Sequence, residues 1–360
     1  MSISHTNHSI CVRLAFLAVL MNPFGWSVVS AQYEPSLTIT VPEAMGKSLA
    51  VAFSPDGKQI ITGGSCLTFW DSFTGEKIRS IPDDAISGSI VCSPDRKMVA
   101  IAYLWPDYGI DFLVKIWNLE TRQCVHTLQY SLPQREKQGF QSYAIAMAFS
   151  PDGKELLTGD VATRFLSWST ENGEILREYH ALGSMRDPIH RILFLPDGNR
   201  AIVQRGIGEI YLVDLRNDSI ISIISQALLG PSLSADGTLW VGANSLRLEL
   251  RRVETGELVF SYPLEYTMGA RFAELSPDGK LILVAGRNHS DDRYPRFILD
   301  VETGKVLREY GICWDVVLKF APDGKRFMAA TYDDKQRVRI YDISDLQAAV
   351  QEPGVENQEK

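Results

Sequence analysis

Seven times along this chain a short apolar run meets a four-residue turn built around Pro-Asp-Gly. The copies are Ser54-Pro55-Asp56-Gly57, Ser93-Pro94-Asp95-Arg96, Ser150-Pro151-Asp152-Gly153 and Leu195-Pro196-Asp197-Gly198, followed by Ser234-Ala235-Asp236-Gly237, Ser276-Pro277-Asp278-Gly279 and Ala321-Pro322-Asp323-Gly324. Proline presets φ at the second turn position, aspartate suits the third, and glycine accepts the positive φ that ends a tight hairpin. Successive turn aspartates lie 39, 57, 45, 39, 42 and 45 residues apart. A unit that recurs at this period cannot bury its apolar faces alone, so the units must stack on one another.

Each unit carries the same satellites. An apolar strand precedes the turn, as in Leu49–Phe53 and Ile145–Phe149, and a second follows it and ends in small residues, as in Ile60-Ile61-Thr62-Gly63. A third ends on an aromatic or aliphatic residue, as in Phe69-Trp70-Asp71, Ile116-Trp117-Asn118 and Leu166-Ser167-Trp168. A second tight turn such as Thr74-Gly75-Glu76 leads into a more polar fourth strand. Period-two alternation runs through all of them. The pattern predicts an all-β fold, a seven-bladed β-propeller of four-stranded antiparallel blades. The seventh unit has only three strands of its own, and Ser36–Val41 alternates without a unit. That segment is expected to pair with the last blade and close the ring, which removes the open edge.

The chain resembles the WD40-repeat family, or closely similar YVTN-like propellers, over about Ser36 to Leu346. The resemblance rests on the repeat length, the hairpin turn and the third-strand Trp-Asp pair at Trp70-Asp71. No Gly-His dipeptide opens a unit and the literal Trp-Asp pair occurs once, so the family's buried His/Ser/Asp/Trp tetrad does not carry over. The resemblance implies scaffolding rather than catalysis.

With 45% hydrophobic residues, 22% charged residues and a net charge of −8, the chain lacks the basic surface that nucleic acid or anionic membrane would require. Arg13 is the one charged residue among the first 31. Leu14–Met21 is an apolar run, and Val29-Ser30-Ala31 offers small residues for cleavage. This predicts a secretory signal peptide over 1–31, a propeller over 32–347 and a polar tail over 348–360, hence a secreted or periplasmic protein, free of the membrane once cleaved. Cys66, Cys92, Cys124 and Cys313 show no close metal-ligand spacing; a disulfide among them stays open.

In a four-stranded blade both tight hairpins leave one face, while the links between second and third strands and between blades leave the other. All long insertions belong to the second set: 104–111, 130–142, 181–188, 287–295 and 332–336. Long loops on a rigid frame carry binding. The candidate partner-binding residues are therefore Trp105, Asp107, Tyr108, Arg186, Asp187, His289, Asp291, Asp292, Arg293, Tyr294 and Trp314. His289-Ser290-Asp291-Asp292 has hard-ligand types, but a solvated loop is the plainer reading, and no metal, cofactor or catalytic set is assigned. The expectation is a monomeric, non-enzymatic scaffold that binds protein. The alternative is a hydrolase or lyase at the channel mouth, using His190, His289 and Asp291.

Overall fold

The computed structural model describes residues 33–41, 50–64, 66–82, 87–103, 112–130, 146–160, 164–183, 187–206, 208–225, 228–244, 246–264, 270–286, 296–310, 315–331 and 337–346. These form seven four-stranded antiparallel sheets, and helix among them is confined to 344–346. Each of blades 1–6 runs in chain order from the central channel outward; blade 1 is Val51–Phe53, Gln59–Thr62, Cys66–Asp71 and Lys77–Pro82. The all-β, seven-bladed expectation holds.

Blade 7 takes three strands from the end of the chain and its outermost from the beginning. Leu37–Thr40 pairs antiparallel with Arg337–Asp342, with Leu37 opposite Ile340 and Thr40 opposite Arg337. Ser36 Oγ donates to the Ile340 carbonyl at 2.9 Å. Ile39 and Val41 are buried in this position. The ring is closed as the alternation of Ser36–Val41 predicted.

The apolar core is divided into seven clusters, each lying between two neighbouring blades. Strand alternation produces this directly: Phe69 faces blade 2 and the adjacent Trp70 faces blade 7. A blade is therefore buried on both faces and has no core of its own. Trp168 packs against blade 2 and Trp117 against blade 1 in the same way. Trp70 and Trp168 also donate their indole N–H to Thr62 and Thr158, each at 2.9 Å. The bond leaves neither polar group unsatisfied in the core.

The recurring Pro-Asp-Gly turn has a chemistry that the sequence hid. In blade 1 Ser54 Oγ donates to Asp56 Oδ1 at 2.6 Å and accepts from the Gln59 N–H at 2.9 Å, while Asp56 accepts from the Lys58 N–H. The serine–aspartate bond recurs at Ser93, Ser150, Ser234 and Ser276. Blades 4 and 7 have Leu195 and Ala321 in place of the serine. In just those two, the third residue after the aspartate is arginine, and it bonds the aspartate instead: Arg200 Nε to Asp197 at 2.6 Å, Arg326 Nη2 to Asp323 at 3.1 Å. Both arginines continue into the next blade. Arg200 reaches Glu254 at 2.7 Å, and buried Arg326 reaches the Gly57 and Ser72 carbonyls of blade 1 while lying 3.9 Å from the Phe73 ring centre. Arg326 thus clasps the ring at the blade 7–blade 1 seam.

Candidate functional site

The two faces differ in construction. On the hairpin face the turns touch one another around the channel. Gly237, at φ 72°, sits against Pro196 of the preceding blade so closely that a Cβ would collide with the proline ring. Within blades the two hairpins are also joined, as where Ser72 Oγ donates to the Gly57 carbonyl at 2.6 Å. Farther out, Arg177 donates to the Leu215 and Arg216 carbonyls of blade 4, and His126 Nε2 lies 3.1 Å from the Thr170 and Glu171 carbonyls of blade 3. Hairpins and outer strands are stapled to their neighbours by main-chain acceptors.

Inside this annulus the channel opens into a cavity of about 760 Å³. Its wall follows from one repeat position, the third residue before the turn proline or its equivalent. That position is Val91, Ala148 and Leu193 in blades 2–4, Ser232 in blade 5, and Glu274 and Lys319 in blades 6 and 7. One side of the channel is apolar and the other is charged. Lys319 Nζ lies 2.9 and 2.7 Å from the two Glu274 oxygens, and Arg191 Nη2 of blade 4 stands 3.5 Å from Oε2. Between blades 4 and 6, blade 5 lines the cavity with Ser232, Leu233, Ser234 and Ala235. Lys319 keeps 40% of its side chain accessible to channel water, yet protein surrounds it, and this enclosure lowers its pKa while Glu274 draws it back upward.

The opposite face carries the longer connections between strands. Of the eleven candidate residues, Asp187 alone lies among the described residues. It is half-buried and its carboxyl packs against Gly206. Trp105, Asp107, Tyr108, Arg186, His289, Asp291, Asp292, Arg293, Tyr294 and Trp314 lie outside the described residues, as do Cys313, the expected signal peptide and the expected tail. Next to Asp187 is a polar cluster that sequence reading missed. Buried Arg205 donates to Glu209 at 2.8 Å, to the Tyr211 hydroxyl at 3.0 Å and to the Leu182 carbonyl, and Tyr211 donates to Glu209 at 2.6 Å. The Tyr211 and Arg205 hydrogen bonds hold the Glu209 carboxyl below its usual range. The cluster joins the link from blade 3 to the Arg205–Glu209 turn of blade 4.

His190 is exposed on the inner strand of blade 4; its proposed companions His289 and Asp291 are outside the described residues. Among the described residues no group of three His, Cys, Asp or Glu side chains is placed to hold a metal ion. Cys92 and Cys124 are free thiols, and burial pushes Cys92 up to about 12. The missed channel charges had a readable signal: aligned on their turns, the seven units carry charge three residues before the proline in blades 6 and 7 alone.

No protein-family model matches the chain. It is 28% identical over 174 residues to the Cross-pathway control WD-repeat protein 2 of Flammulina velutipes, covering 46% of this chain and 52% of that protein. It is 28% identical over 170 residues to the small ribosomal subunit protein RACK1y of Oryza sativa subsp. japonica, covering 43% of this chain and 46% of that one. The chain therefore spans about half the length of the curated relatives it matches. The Cps50 (Swd1) β-propeller domain of Myceliophteria thermophila superposes with a TM-score of 0.68 at 13% identity, over 85% of this chain and all of that domain, a likeness of fold. These relatives correct the expectation of a secreted or periplasmic protein. RACK1y is named as part of a ribosomal subunit, an intracellular particle, and the likeness points to the cell interior. The apolar run at Leu14–Met21 met the compositional rule for an export signal, but composition alone does not establish export.

Proposed function

We infer that this seven-bladed β-propeller belongs to the WD40-repeat family and acts as a non-enzymatic, protein-binding scaffold through the face that carries its long connections. The observation that carries this reading is the asymmetry of the ring. Hairpin-face turns are tied to each other by side chains and close packing. The links between second and third strands and between blades emerge together at the other face, on a frame closed by Leu37–Thr40. Trp, Tyr and Arg dominate binding hot spots, and Trp105, Tyr108, Arg186, Arg293, Tyr294 and Trp314 all fall in those links. The names of the relatives support the same reading, since a ribosomal subunit protein is a component of an assembly.

A photo-crosslinking residue placed at Tyr108 or Tyr294 in the intact chain tests the proposal. The expectation is a discrete crosslinked protein band from each, and none from the same residue at Lys154 on the hairpin face. Crosslinks from Lys154 to the same protein, with none from the loops, would reverse the assignment.

A further inference from the structure

The channel half nearest the hairpins has a charge imbalance that the scaffold reading does not use. Among the described residues three charged side chains line it, Arg191, Glu274 and Lys319, two cations against one carboxylate; the other described lining residues are uncharged. Lys319 takes both oxygens of Glu274 at hydrogen-bonding distance, whereas Arg191 stands 3.5 Å from the nearer one, beyond a good N–H···O bond. Lys319 and Arg191 thus share a single carboxylate, and the channel wall here carries one net positive charge. Confined cations gain most from a counter-ion that also accepts hydrogen bonds, and a carboxylate matches the guanidinium fork bidentately.

We propose that this cavity binds an aliphatic monocarboxylate, with its carboxylate on Arg191 and its chain along the apolar wall of blades 2–4. That wall comprises Val91, Met147, Ala148, Phe149 and Leu193. A volume of about 760 Å³ accommodates a small organic ligand. The chemistry discriminates among ligand classes. An amine would meet two cations. A phosphate would bring a second negative charge to a wall that carries one net positive charge. An alcohol of the same length would fill the apolar wall and leave that net charge unmatched.

Titration calorimetry with octanoate, 1-octanol and octylammonium on the full chain tests this, together with the melting temperature under each ligand. Octanoate should bind saturably at one site and raise the melting temperature. Octanol should bind at least about tenfold more weakly, and octylammonium not at all. Arg191→Gln should weaken octanoate by about tenfold or more while the circular dichroism spectrum is unchanged. Lys319→Gln, which keeps a donor to Glu274 and removes the net charge, should do the same. Failure of octanoate to saturate, octanol binding as tightly as octanoate, or unchanged octanoate affinity in both variants overturns the proposal. The melting-temperature comparison on the unaltered chain decides the matter even if neither variant folds.

Discussion

At the scale of single residues, the seven turns repeat an experiment on one chemical problem. The turn aspartate needs a local donor, and it takes a serine hydroxyl in five blades and an arginine in the two blades that lack the serine. These bonds have a pH signature. The Ser150 hydroxyl and the Lys154 N–H hold Asp152 below its ordinary value, and Ser234 does the same for Asp236. A depressed carboxylate contributes stability that is complete above the unfolded value, about pH 4, and is lost as pH falls through the folded value. The melting temperature should therefore drop more steeply below about pH 4 in the unaltered chain than in a Ser150→Ala, Ser234→Ala variant. Equal slopes would remove the hydroxyls from the account. Blade 2 breaks the rule at its last position, where Arg96 adopts φ 66° in place of glycine. Arg96→Gly should relieve that strain and raise stability by about 0.5–1 kcal/mol in chemical denaturation, net of a weak exposed contact with Asp56 at 3.5 Å.

At the scale of the element, the strand Leu37–Thr40 has a weight beyond its four residues. It supplies the outer edge of blade 7 and places Ile39 in the cluster between blades 7 and 1. Deleting 36–42 should lower the melting temperature sharply, since burial of Ile39 alone is worth about 2–5 kcal/mol. An unchanged melt would mean that the Arg326 clasp holds the seam without the strand. How much of the fold was legible follows from what repeats. The turn, the alternation and the unpaired Ser36–Val41 each obey local rules, so blade count and closure could be read directly from the chain. The inter-blade reach of Arg177, Arg200 and Arg326 could not, because their partners are mostly main-chain carbonyls of the next blade, which leave no mark in side-chain pattern. The Arg191–Glu274–Lys319 group was legible only after the units had been aligned. Its members are 83 and 45 residues apart, and alone each looks like an ordinary strand charge.

At the scale of the whole molecule, seven cores placed between blades make the ring a single cooperative frame, since no blade can leave without exposing two of them. Such a frame has two unlike ends: one a stapled annulus around a charged cavity, the other the origin of every long link. The assignment of binding to the second end is the central claim. It is tested most directly by capture from extract of the source cells with three forms of the chain, each first shown to melt normally. Changing Trp105, Tyr108 and Tyr294 to Ala should abolish recovery of the protein partner. Changing Lys58, Lys154 and Lys280 to Ala on the hairpin face should leave recovery at the level of the unaltered chain. Full recovery by the first variant and loss by the second would contradict the account.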